Sequence, residues 1–138
     1  MRKSVTQEYD YGCGVACFAF VCNVTYQEAL KLLGRESTVK FGWKPSDLCK
    51  ELILQGYKYK NRYVRKLVIE DSDYPDKTIV LIEKSTVYPV GHYLVKYKNT
   101  WMDPWLNLPD SNDINKATSG FRLQLPGKAM YTLIPINT

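Results

Sequence analysis

Acyl-transfer chemistry needs a nucleophile, a base that can also act as an acid, a group to orient that base, and donors for a developing oxyanion. The sequence offers one candidate for each. In "QEYDYGCGVACFAF" Cys13 lies between Gly12 and Gly14, six residues after Gln7 and at the head of an apolar run. If a helix begins at Gly12 or Cys13, the thiol stands at the positive end of the helix dipole and faces first-turn N–H groups, both of which favour thiolate over thiol. The flanking glycines let a substrate backbone come close. Most free cysteines are packing residues, so Cys13 acquires meaning only from what else the chain can bring to it.

The single histidine, His92, lies in "VGHYLVKY". A neutral imidazole is the usual base for a cysteine nucleophile near neutral pH. Asp103, in "TWMDP", follows eleven residues later. A hairpin with a two- or four-residue loop centred on Lys98-Asn99 places Leu94 opposite Asp103 and His92 opposite Trp105. Asp103 is then diagonal to His92 on the same face, about 7–8 Å away at the backbone and within reach of longer side chains, where it can fix the imidazole tautomer. A loop one residue longer or shorter would put the two on opposite faces. Gln7 can donate a side-chain N–H to an oxyanion, with the Cys13 backbone N–H as second donor. Trp101 and Trp105 flank Asp103 and are expected, with Trp43, in the core or in the wall of the groove.

Together, "QEYDYGCGVAC", "GHYLVKY" and "WMDP" resemble the papain-like cysteine peptidases that remove double-glycine leader peptides from bacteriocins. The resemblance spans Gln7 to Pro104, with all four motifs in order. It implies a papain-like fold, Cys13 as nucleophile, His92 as general base and acid, Asp103 as orienting residue and Gln7 as oxyanion donor. Many members of that family place an aspartate directly before the cysteine; here Gly12 stands there. Their peptidase regions usually precede membrane-spanning and ATPase regions, so the expectation is a stand-alone relative. The same thioester chemistry serves peptide hydrolysis, protein deamidation or transamidation, and a non-catalytic peptide- or RNA-binding domain on this fold is a further alternative.

Elements that must position these residues can be read from periodicity. Residues 1–9 look extended, and residues 13–21 suit a buried helix. Thr25 and Glu28 form a capping box for a second helix that ends on Gly34. Pro45 and Ser46 open a third, with Leu48, Leu52 and Ile53 as its apolar stripe and Gly56 at its end. Strand-like alternation follows in "YKYKNRYVRKLVI", then strands at residues 78–83, 91–97, 100–104 and 129–136. Residues 105–128 are hard to read beyond a short helix near residues 113–117. Helices first and an antiparallel sheet afterwards make an α+β domain, with a helical half at about residues 1–56 and a sheet half at about residues 57–138.

A chain of 138 residues, 45% hydrophobic and 24% charged, suits one globular domain over its whole length. No apolar stretch reaches the ~18 residues that span a membrane, and the first residues lack the apolar run of a secretory signal. The four cysteines are therefore expected as reduced thiols in the cytoplasm. A zinc site would want paired cysteine or histidine clusters, so no metal or other cofactor is expected. The expected partner is a peptide or protein substrate. A net charge of +5 permits an acidic partner, and the interleaved tyrosines and cations of "GYKYKNRYVRK" could meet RNA. That alternation is better explained by an edge strand with tyrosines inward and Lys58, Lys60 and Arg62 in water.

Overall fold

The computed structural model describes residues 2–34, 42–108 and 110–136. Three helices, α1 (Cys13–Cys22), α2 (Tyr26–Leu33) and α3 (Pro45–Leu54), precede a sheet of six strands. The strands are β1 (Tyr59–Tyr63), β2 (Ile79–Ile82), β3 (His92–Tyr97), β4 (Thr100–Asp103), β5 (Gly120–Arg122) and β6 (Ala129–Pro135). They pair antiparallel in the order β1-β6-β2-β3-β4-β5. The α+β architecture read from the sequence is the one observed.

Helix α1 is apolar all round, and residues Gly14 to Val21 are buried. Such a helix must lie inside the molecule. It packs on β3 and α2, and burying Phe18 and Phe20 alone is worth about 1.5–3 kcal/mol each. Asn23, left-handed at φ 58°, ends it by donating its N–H to the Ala19 and Phe20 carbonyls. The capping box of α2 forms as read: Thr25 accepts from the Glu28 N–H and Glu28 accepts from the Thr25 N–H. Helix α3 opens on Pro45 and buries Leu48, Cys49 and Leu52. Ile53, expected in that stripe, is instead 52% exposed in the last turn, and Cys49 is buried beside Leu48 and Leu52. Among the described residues no single helix is long and apolar enough to cross a membrane, and α1 and α2 meet at 107°.

Alternation along the strands divides the core between the two faces of the sheet. Ile79, Tyr93, Val95, Met102 and Leu133 pack with α1. Val80, Ile82, Leu94 and Trp101 form a second cluster with Tyr74 and Tyr88 on the other face. By the same alternation His92 and Asp103 belong to the second face. The β3–β4 hairpin closes on the two-residue loop Lys98-Asn99, with Lys98 at φ 55° and Tyr97 opposite Thr100. That register carries Leu94 opposite Asp103. Edge strand β1 differs in detail from expectation: Tyr59 is buried, but Tyr63 is 47% exposed and packs edge-on against Tyr131.

Gly91 sets the entry to β3. Its φ is 81°, and a Cβ there would lie 2.7 Å from the Ile82 carbonyl oxygen. Gly56 has a similar φ of 92° with open space around it. Gly56→Ala is expected to lose about 1 kcal/mol from backbone strain alone. Gly91→Ala adds a collision with backbone and should lose roughly 2–4 kcal/mol. Urea denaturation of both variants checks this, and equal losses would contradict the tight approach at Gly91.

Candidate active site

Cys13 is the first residue of α1, behind Gly12, which offers no side-chain cap. The first-turn N–H groups of a helix have no intrahelical acceptor, so the thiol sits among free donors. The thiol is partly exposed. The other cysteines are different. Cys17, one turn further on, is fully buried, and burial first, then the neighbouring Cys13, push its thiol well above the ordinary range. Burial likewise raises Cys22, to about 11, and Cys49.

His92 opens β3, where the end of the sheet meets the start of α1. Its ring is 3% exposed. One ring nitrogen, Nε2, donates to Asp103 Oδ1 at 2.6 Å, and Cys13 lines the same cleft as the ring. Burial alone would push the imidazole down. The hydrogen bonds to Asp103 and Cys13, with their charges, outweigh it and push it up to about 9. The surroundings therefore favour the charged form of the ring.

Asp103 is fully buried. Besides the imidazole, Oδ1 accepts the Trp105 backbone N–H at 3.0 Å, closing the Asp-Pro-Trp turn, and Oδ2 accepts from Arg122 Nη1 at 3.0 Å. Burial raises its carboxyl, but the bond from His92 and the imidazole charge, then Trp105 and Arg122, hold it below the usual carboxylate value. Tyr88 covers the imidazole, with ring centroids 4.6 Å apart and planes 13° apart. Sequence reasoning missed both Tyr88 and Arg122. Nothing in "TVYPVGHY" marks a tyrosine for stacking, and Arg122 lies in a three-residue strand inside a stretch dominated by turn residues.

A cleft of about 630 Å³ opens over the thiol and the imidazole, lined by Gln7, Cys13, Trp43, Val87, His92 and Trp105 among others. Among the described residues, Asp10 is the sole carboxylate along it. Asp103 lies behind the ring and outside the cleft. Of the two places expected for the tryptophans, Trp101 takes the core, fully buried in the second cluster, while Trp43 and Trp105 line the cleft. Gln7 is 2% exposed. Its backbone N–H donates to the Pro104 carbonyl at 3.2 Å, which ties it to the turn after Asp103. Its carboxamide nitrogen donates to the Tyr9 carbonyl at 3.0 Å and the Asp10 carbonyl at 3.3 Å. A second groove of about 590 Å³, between the N-terminal segment and the α1–α2 turn, contains no nucleophile–base pair. Among the described residues no cluster of His, Cys, Asp or Glu could hold a metal ion.

An ionised carboxylate, a charged imidazole and a thiol in series make an arrangement able to present a sulfur nucleophile together with a proton for a leaving group. All four residues singled out in the sequence meet here: Gln7, Cys13 and His92 line the cleft, and Asp103 is bonded to the back of the ring.

No protein-family model matches the chain, and no curated protein matches it by sequence. Among solved structures, the fold matches the peptidase domain of Streptococcus ComA, a bi-functional ABC transporter involved in a quorum-sensing pathway. The match covers 100% of both chains with a TM-score of 0.62 at 17% identity. The fold is thus papain-like.

The glycine before the cysteine has a local cause. A Cβ at Gly12 would lie 2.1 Å from the Tyr26 hydroxyl and 3.1 Å from the Tyr9 carbonyl. Tyr26 fills the space that an aspartate would need. Gly12→Asp is expected to destabilise by about 1–3 kcal/mol, and Tyr26→Phe in the same chain should recover part of that loss, because contacting residues couple. A double-mutant cycle in urea measures the coupling, and strict additivity would contradict the contact.

Proposed function

We propose that this chain is a cysteine peptidase working through Cys13, His92 and Asp103, related in kind to the double-glycine leader peptidases that its motifs resemble. The observation that carries the reading is the imidazole bonded to the Asp103 carboxylate at 2.6 Å and lining one open cleft together with Cys13. The ComA peptidase domain, alike in fold over its whole length, supports it.

On this reading the Cys13 thiolate attacks the carbonyl carbon of a peptide lying in the cleft. The C–S bond forms as the carbonyl π electrons move onto oxygen. The Cys13 backbone N–H and the Gln7 carboxamide receive that oxyanion; the longer of the two Gln7 bonds, to Asp10, is the one it exchanges. The His92 imidazolium gives its proton to the departing amine as the C–N bond breaks, leaving a thioester and a neutral ring. The ring then takes a proton from water, whose oxygen attacks the thioester. Collapse releases the carboxylic acid and restores thiolate and imidazolium. Asp103 stays ionised throughout and keeps Nε2 protonated, so that the other ring nitrogen serves the reaction.

The substrate is a peptide or protein segment able to lie extended past Trp43 and Trp105. A comparison of newly formed protein termini in cells expressing wild type and Cys13→Ala tests the reading directly. Termini that depend on Cys13 are expected; a mass gain of about one dalton on glutamine side chains without new termini would point to deamidation instead.

Two further outcomes follow from the site. His92 is raised, so its proton is present below about pH 9 and lost above it. The imidazolium acid disappears with it, and kcat/KM is expected to fall on a basic limb near pH 9. Asp103→Asn removes the charge that lifts the imidazole, so the limb should move to lower pH and kcat/KM should drop on the order of 10²–10⁴-fold. A limb that stays in place in Asp103→Asn would contradict the assignment. Gln7→Ala should lower kcat by about 10²–10³-fold, read from steady-state rates on the peptide identified.

A further inference from the structure

Asp103 is fully buried and uses one oxygen for two bonds, to the His92 ring and to the Trp105 N–H. Those two bonds alone would leave Oδ2 desolvated and without a partner, which is expensive for a charged group. They would also leave the carboxylate free to rotate about its terminal bond. Arg122 supplies what is missing. On edge strand β5 it stands opposite Trp101, while Gly120 stands opposite Asp103. Arg122 and Asp103 are thus diagonal neighbours on one face, a separation that a long side chain can cross. Its Nη1 donates to Oδ2 at 3.0 Å, and its side chain is only 29% exposed.

Among the described residues, the charged and titratable groups around the imidazole and its carboxylate are Cys13 from α1, with Cys17 one turn behind it, Tyr88 from the loop before β3, Asp103 from β4 and, behind the carboxylate, Arg122 from β5. Arg122 is the one cation in that set besides the ring itself. The burial of Tyr88 over the ring closes the remaining side, and its hydroxyl feels both the Asp103 and the Arg122 charge.

We propose that Arg122 is a positioning residue: its guanidinium locks the second carboxylate oxygen of Asp103, and through it sets the orientation and the charge of the His92 ring that faces Cys13. What that orientation serves rests on the peptidase reading; the coupling between Arg122 and the ring does not.

The chain has a single histidine, so its ring signals in ¹H–¹⁵N correlation spectra belong to His92 without further assignment. Arg122→Gln keeps a donor for Oδ2 and removes a positive charge. The His92 midpoint should then rise by roughly half a pH unit. Arg122→Lys keeps the charge and should hold the midpoint within about 0.2 pH units of wild type. Arg122→Met removes donor and charge together, and the rate at which iodoacetamide alkylates Cys13 at pH 6 should fall about 10-fold or more, with Arg122→Lys recovering most of it.

A residue that merely pins β5 would lower stability in every variant and move neither the midpoint nor the alkylation rate of the folded protein. An unmoved midpoint in Arg122→Gln therefore overturns the proposal. If Arg122→Met does not fold, the Gln and Lys variants still decide it. These readouts need no substrate, so absence of Cys13-dependent cleavage would end the peptidase reading while leaving this coupling to stand or fall by itself.

Discussion

The buried bond between one imidazole ring and one carboxylate is the interaction around which the rest of this structure is arranged. Burial of that kind opposes a positive charge, and the ring is almost completely enclosed. A charge persists there only if an opposite charge is close, hydrogen-bonded and itself prevented from picking up a proton. Asp103 is the counter-charge, and three donors keep it ionised: the ring, the Trp105 N–H and Arg122. The thiol of Cys13 is the partner on the open side. Every element of the fold that touches the site can be understood as holding one member of this row in place.

Two rigid parts of the molecule do the holding. Helix α1 is anchored by an apolar surface on all sides, so its first residue is fixed by the packing of the next eight. The β3–β4 hairpin is anchored by its two-residue turn and by the second cluster beneath Leu94 and Trp101. His92 begins one strand and Asp103 ends the next, so the hairpin register alone sets their separation. Gln7 then ties the segment before α1 to the turn after Asp103 through the Pro104 carbonyl. Cys13 lies far from His92 along the chain, but each side of the pair is placed by local structure: a helix start, a strand start, a tight turn.

Much of this was legible in the sequence. The capping box at Thr25, the apolar run after Cys13 and the period-two strands could be read because local rules agreed with the tertiary outcome. The hairpin register was readable because Lys98-Asn99 permits a short loop, and a one-residue change would have reversed the face of Asp103. What escaped was set by distant parts of the chain. Strand β5 has three residues and gains its identity from pairing with β4, so Arg122 carried no local mark. Tyr88 stacks on a ring that its own segment does not predict. Ile53 and Tyr63 were expected to be buried but lie where the helix and the sheet edge meet solvent. The exposure of Lys60, Arg62 and Tyr63 fits an edge strand with its charges in water.

The central claim is that the buried bond to Asp103 keeps the His92 ring charged at neutral pH, and the most direct measurement is the ¹H–¹⁵N spectrum of the wild-type ring as a function of pH. The account predicts two protonated ring nitrogens at pH 7 and a midpoint near 9. A ring with one protonated nitrogen at pH 7 and a midpoint at or below the ordinary 6.5 would contradict it.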